Sequence, residues 1–313
     1  MISIWAPEGV GEVRRGDDLA GHLLPLVDLD DGDVVCVTSK VVSKAEGQVV
    51  AGDRADAILH ETRRLVARRG PLSIVVNRLG LTMAAAGVDA SNVEQGQVLL
   101  LPEDPDASAR ALRAAVTARA EVNVAVVVTD TAGRAWREGQ TDIAIGAAGI
   151  RVLDDHTGRV DPYGNVLAVT APAVADELAG AAELAAGKLG RRPFVVVRGR
   201  PDLVLPAGDD GPGAGGLLRP EGADLFGLGS REAVLTALRG TPDSRRLYGA
   251  PVTPDELAEV VEGLTGLAAA ADGDGLTVTT DDPRTRWVCE VAAYAHGWTT
   301  DDEHAASQVR LAP

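Results

Sequence analysis

Two valine-dense runs constrain what this 313-residue chain can fold into: Asp33–Thr38 and Val122–Thr129. Their β-branched density suits a pleated, buried surface, so both are expected to be interior strands, the second one central. Each run gives way to small polar residues, Ser39-Lys40 after the first and Asp130-Thr131-Ala132-Gly133 after the second. A carboxylate at the end of an apolar strand is costly unless it is paired or bound to metal. Asp130 is therefore the first candidate for chemistry.

A second such position is Asp89, in Ala86-Gly87-Val88-Asp89-Ala90-Ser91-Asn92-Val93, just after a short apolar run at Leu81–Ala85. Carboxylates with hydroxyls and an amide nearby form the all-oxygen set preferred by hard divalent cations such as Mg²⁺. The alternative for Asp89, Ser91 and Asn92 is a turn in which short side chains bond their own backbone. Ser39 and Lys44 offer a hydroxyl and an ammonium suited to a phosphate. From spacing alone they fit a solvated loop equally well.

The remaining segments place these residues. Asp53 is expected to cap a helix running through Arg69, with Ile58, Thr62, Leu65 and Val66 on one face and Gly70-Pro71 as its stop. Leu72–Val76 and Leu81–Ala85 would pair around the turn Asn77–Gly80. Val98–Leu101 is a further strand, and Asp106 would cap a helix over Ala109–Ala120. Trp136–Asp142 reads as polar loop, Val174–Ala186 as a helix stopped by Gly187, and Phe194–Val197 as a strand. Residues 201–223 are rich in Pro, Gly and Asp, the composition of a linker or long surface loop. Thr253-Pro254-Asp255-Glu256 is a capping box, and the last 90 or so residues look like an appended helical piece. Hairpins mixed with helices, without a regular βαβ period, favour an α+β fold over a doubly wound sheet.

Composition excludes several functions. A net charge of −16 argues against nucleic acid, whose phosphates are bound by basic surfaces. It also means that a phosphorylated substrate needs local positive charge. Only three of the 30 basic residues are lysine, Lys40, Lys44 and Lys188, and the first two lie close together. Cys36 and Cys289 cannot build a disulfide framework, and Cys36 is expected in the core. His156 fits a surface loop, while His22, His60, His296 and His304 show no ligand spacing. No P-loop or dinucleotide fingerprint is present; Gly208–Gly216 lacks the helix and lysine of the former. No membrane span or signal peptide is evident, so a cytoplasmic protein is expected.

Taken together, Val37–Gly47, Ala86–Val93 and Thr129–Arg137 strongly resemble the coenzyme F420-0:L-glutamate ligase family. Gly16-Asp17-Asp18-Leu19, Asp161-Pro162-Tyr163-Gly164 and Ala175-Asp176-Glu177-Leu178 agree in the same order, so the resemblance covers residues 1 to about 240. It implies a GTP-dependent ligase adding L-glutamate to F420-0 through an acyl phosphate, followed by γ-linked glutamates. It also implies a family-specific α+β fold in an intertwined homodimer, two Mg²⁺ or Mn²⁺ ions per site, and stimulation by K⁺. By motif, Asp89, Asp130 and Thr131 would be metal ligands, and Asp89, Asp130 and Lys44 the catalytic set. Val10, Gly11, Glu12, Val13, Ser39, Lys44 and Asn92 would line the GTP site, and Gly187 and Lys188 would belong to the same cofactor-binding set.

Two departures stand out. After Gly187, where relatives often carry a Gln or Glu metal ligand, this chain has Lys188, which either loosens one metal or meets phosphate itself. Actinobacterial relatives continue into a flavin-binding nitroreductase-like domain, for which residues 241–313 are too few. No flavin is expected, and glutamate chain elongation would be reduced.

Overall fold

The computed structural model describes residues 1–301 and 308–313, so His304 lies outside the described residues. The chain divides into two compact units, Met1–Arg64 with Ile74–Leu218, and Leu65–Ser73 with Arg219–Pro313.

The first half of the chain carries β1 (Ser3–Trp5), α1 (Leu19–Leu23), β2 (Val34–Thr38), α2 (Ser39–Glu46), β3 (Val49–Ala51), α3 (Arg54–Glu61), β4 (Thr62–Arg69), β5 (Leu72–Asn77), β6 (Thr82–Ala84) and β7 (Gln97–Leu99). There follow α4 (Pro105–Ala120), β8 (Ala125–Arg134), β9 (Arg137–Ala148), α5 (Val174–Ala186) and β10 (Phe194–Arg198). The main sheet has the order β1-β10-β2-β8-β9, with β2 and β8 parallel and the other neighbours antiparallel. This mixed sheet agrees with the expected α+β class.

The valine runs are explained by burial on both faces, which removes the usual alternation of polar and apolar residues. Val35, Val37, Val126 and Val128 face a core that includes Ala109, Leu112 and Val116 of α4. Val34, Cys36, Ala125 and Val127 face the opposite core, with Ala175, Leu178 and Ala182 of α5. Cys36 is thus the core residue expected, and burial, helped by Asp142, pushes its thiol up to about 12.

Several expectations need correction. The helix capped by Asp53 ends at Glu61, not Arg69. Glu61 is buried against Arg78, 2.6 Å away, and the Thr62 hydroxyl donates to the Ile58 carbonyl at 2.6 Å, so the chain turns extended and becomes β4. β4, β5 and β6 form a small sheet, with the Asn77 carboxamide oxygen accepting from Leu79 and Leu81 N–H in the expected turn. The cap of α4 is Asp104, whose carboxylate accepts from Ala107 N–H at 2.9 Å. Asp106 instead accepts from the backbone N–H groups of Ala147 and Ala214. Residues 201–218 are not a linker: Leu203 and Ala214 are buried, and Arg113 bonds the Pro206 and Asp209 carbonyls and the Asp210 carboxylate.

Trp136–Asp142 is not a loop either. β8 continues to Arg134 and β9 begins at Arg137, so these residues close a two-stranded arm. Residues 133–140 are exposed on both sides, which removes the apolar alternation that marks a strand. Asp130 consequently sits within β8 rather than at its end.

The second unit has its own core. It contains α6 (Ser230–Arg239), α7 (Pro254–Thr265), β11 (Ala269–Asp272), β12 (Gly275–Thr279), α8 (Pro283–Ala295), β13 (Thr299–Asp301) and β14 (Gln308–Ala312). The sheet order is β11-β12-β14-β13, antiparallel throughout, so this region is not simply helical. Leu257 and Val261 of α7, Cys289 and Ala293 of α8, and Leu276, Val278, Val309 and Leu311 of the sheet pack together with Trp298. Thr253 caps α7 as expected, its hydroxyl accepting from Glu256 N–H. Among the described residues no helix is long and apolar enough to cross a membrane.

Candidate active site

The register of the parallel pair sets the first contact of the site. Thr38 of β2 lies beside Thr129 of β8, so the next residues, Ser39 and Asp130, are adjacent as well. The Ser39 hydroxyl donates to Asp130 Oδ1 at 2.7 Å. α2 starts at Ser39 without a side-chain cap, leaving first-turn N–H groups whose partial positive charge favours an anion.

Above this junction lies a cleft of about 530 Å³. One wall is the loop Val10-Gly11-Glu12-Val13 with Lys40, Val41 and Lys44 of α2; the floor includes Thr129, Asp130 and Thr131; the other wall is Asp142, the end of α5, Gly187 and Lys188, Arg191 and Arg192. Asn92 also lines it. Of the residues expected from sequence, ten line this one cleft: Val10, Gly11, Glu12, Val13, Lys44, Asn92, Asp130, Thr131, Gly187 and Lys188. Ser39 is buried beneath it. Asp89 does not line the cleft but contacts Lys40, which does, at 2.5 Å.

Adjacent residues of α2 therefore hold the two aspartates: Ser39 holds Asp130 and Lys40 holds Asp89. The turn reading of Asp89 is realised, because Ser91 closes the turn with its N–H at 2.8 Å and its hydroxyl at 2.7 Å. Burial pushes the Asp89 carboxyl up, but Lys40 and Ser91 together outweigh it and leave the carboxyl below its ordinary value. Asp130 is different. Burial pushes it up to about 6, the nearby Asp142 carboxylate adds to the rise, and Ser39 only partly offsets it.

All three lysines of the chain line this cleft. Lys44 pairs with Glu12 at 2.5 Å, and that contact holds the Glu12 carboxyl below its ordinary value. Lys188 donates to the Thr131 hydroxyl at 2.6 Å and lies 3.8 Å from Glu183. With Arg191 and Arg192, these groups provide local positive charge in a chain of net charge −16.

Sequence reasoning missed Asp142 as a site residue. It faces Thr131 across the β8–β9 ladder, is buried, and accepts from the Thr131 hydroxyl at 2.8 Å and the Thr129 hydroxyl at 3.2 Å. Its signal was lost because its segment had the polarity of a loop. Arg191 and Arg192 were missed too; Arg191 has φ of 53°, and Arg192 Nε donates to the Ala186 carbonyl at 3.0 Å. His156 pairs with Asp154 at 3.2 Å and does not line the cleft.

The oxygen donors suit a hard cation on one side of the site. Asp130, Asp142 and the Thr131 hydroxyl are the right ligand type, and the raised Asp130 carboxyl marks a place where added positive charge is favourable. Around Asp89 the positive charge is already supplied by Lys40. Among the described residues no three Asp, Glu, His or Cys side chains converge as a ready-made metal cage.

A family profile described as F420-0:Gamma-glutamyl ligase matches residues 9–57 and 49–199, a span containing most of the cleft. The coenzyme F420:L-glutamate ligase of Methanopyrus kandleri is 40% identical over 239 residues, covering 69% of this chain and 93% of that protein. That of Haloarcula marismortui is 40% identical over 224 residues, 63% of this chain and 87% of the relative. The Archaeoglobus fulgidus enzyme of the same name is 38% identical over 219 residues, 63% and 88% of the two chains. With the profile spanning the segments that build the cleft and the relatives bearing the matching name, the chain belongs to the F420-0:gamma-glutamyl ligase family.

Proposed function

We propose that the protein joins L-glutamate to coenzyme F420-0 at the expense of GTP, and that the cleft over Ser39 and Asp130 is its active site. The observation that carries this reading is the meeting of an uncapped helix start, all three lysines and an electrostatically strained aspartate in one cleft of a family member.

In this reading the first-turn N–H groups of α2 and Lys44 take the terminal phosphates of GTP, with Glu12 giving up its hold on Lys44. Asn92 touches the nucleotide. Lys188, Arg191 and Arg192, on the opposite wall, receive the acidic groups of acceptor and glutamate. A carboxylate oxygen of F420-0 attacks the γ-phosphorus and GDP leaves. The glutamate amine then attacks the acyl carbon, phosphate departs, and one proton is lost to solvent. A divalent cation held by Asp130 and Thr131, and by Asp89 once freed from Lys40, would neutralise charge on the transferred phosphoryl group. Asp142 fixes the Thr131 hydroxyl, and Ser39 orients the Asp130 carboxylate. A homodimer, potassium stimulation and a cytoplasmic location belong to the same proposal.

The test is incubation of pure protein with GTP, Mn²⁺, L-glutamate and F420-0, followed by mass spectrometry. A product heavier by one glutamyl unit, formed with GDP and phosphate, is expected. Folded protein that consumes no GTP and forms no such product refutes the reading.

A further inference from the structure

The second unit contains a cleft of about 510 Å³ that the ligase reaction does not use. It lies among the end of α6, the helical turn Pro242–Tyr248 and the outer face of α8. Three of the chain's nine aromatic residues, Trp287, Tyr294 and Trp298, line it, although the chain is only 3% aromatic. Arg239, Arg245 and Glu290 are its charged groups, a surplus of one positive charge in a protein of net charge −16.

The polar groups of two aromatics are already satisfied. Trp298 Nε1 donates to the Val252 carbonyl at 2.9 Å, and the Tyr294 hydroxyl donates to the Thr241 carbonyl at 2.5 Å. Arg245 is the exception, because its Nη1 is shielded from solvent and meets no acceptor among the described residues. Its neighbour Arg246 is bonded to the Glu221 carboxylate and the Asp243 carbonyl. A shielded guanidinium nitrogen without an acceptor is costly unless something else supplies an oxygen. Trp287, 51% exposed, lines the same cleft.

We infer that this cleft binds a small planar molecule bearing a phosphate or carboxylate, with the anionic oxygen taken by Arg245 and the ring lying against Trp287. The fork of a guanidinium suits either oxyanion, and the aromatic wall supplies the apolar contact that a free anion would lack.

The four tryptophans make the test positional. Full-length isotope-labelled protein is titrated with 1-naphthyl phosphate, 1-naphthoate, neutral 1-naphthylmethanol and inorganic phosphate, and the four indole N–H signals are followed by NMR. Movement of the Trp287 and Trp298 signals with one or both naphthyl anions is expected, with at least tenfold weaker binding of the neutral ring and of inorganic phosphate. Phosphate or carboxylate is identified by whichever anion binds more tightly. Arg245→Gln should weaken binding at least tenfold. Trp287→Ala, at a half-exposed position, should also weaken it in a protein whose remaining indole signals are unchanged. Shifts confined to Trp5 and Trp136, equal binding of 1-naphthylmethanol, or undiminished affinity in both variants would overturn the inference. None of these readouts depends on ligase activity.

Discussion

Replacing Asp130 with asparagine should separate what this carboxylate does for function from what it costs the fold. Its carboxyl is pushed from 3.8 to about 6, so the folded protein holds the proton more tightly than the unfolded chain. The ionisation penalty is therefore complete above pH 6, declines as pH falls from 6 towards 4, and vanishes below that. A shift of this size corresponds to about 3 kcal/mol at most, and about 2 kcal/mol is expected because one edge of the group faces the open cleft. Asparagine cannot ionise and can still accept from Ser39, so metal-free Asp130→Asn should be more stable than the parent at pH 8. For a unit of this size that is an increase in melting temperature of roughly 4–8 °C. The advantage should fall to about a third by pH 4.5.

Scanning calorimetry in chelator, at both pH values, measures it. The same instrument with Mn²⁺ tests the other half of the argument. Wild type should gain about 2.7 kcal/mol at a metal concentration a hundred times the dissociation constant. The variant should gain almost nothing and should be inactive. A variant less stable than wild type at pH 8 without metal, or equal stabilisation of both proteins by Mn²⁺, refutes the reasoning.

Lys188→Gln removes the ammonium that bonds Thr131, so Mn²⁺ should bind more tightly, by several-fold in calorimetric titration. Weaker binding would place Lys188 outside the metal's neighbourhood. Asp142→Asn keeps an acceptor for the Thr131 hydroxyl but removes the charge facing Asp130. The Asp130 carboxyl, followed by carbon NMR in metal-free protein, should then titrate below 6; an unchanged titration would contradict the pairing. Gly146→Ala would place a Cβ 2.3 Å from the Pro105 carbonyl oxygen, where β9 passes the start of α4. A loss of about 3 kcal/mol in urea unfolding is expected from such overpacking, and a neutral result would show that α4 can withdraw freely.

What could be read in advance was whatever is buried on a regular face. α5 was legible from Val174 to its stop at Gly187, because Val174, Leu178 and Ala182 form a stripe and Gly187 takes φ of 66°. β2 was legible because both of its faces are covered. The β8–β9 arm was not, since neither face of residues 133–140 is covered and backbone pairing leaves no mark on side-chain choice. Asp142 was hidden with it. β11, Ala269–Asp272, carries three alanines, too small to announce a strand, and so the second unit looked helical. The site showed a similar division. Ten of the residues singled out by motif meet in one cleft, but the partners they have there, Lys40 for Asp89, Glu12 for Lys44 and Lys188 for Thr131, depend on distances in space.

The parallel pairing of β2 with β8 carries an evolutionary consequence. Slipping either strand by one residue would turn Val35 and Cys36 to opposite cores and part Ser39 from Asp130 in the same movement. An insertion or deletion within either strand would therefore unmake the interior along with the Ser39–Asp130 contact. The cleft walls at Val10–Val13 and after Gly187 lie outside that ladder, so changes there leave it intact.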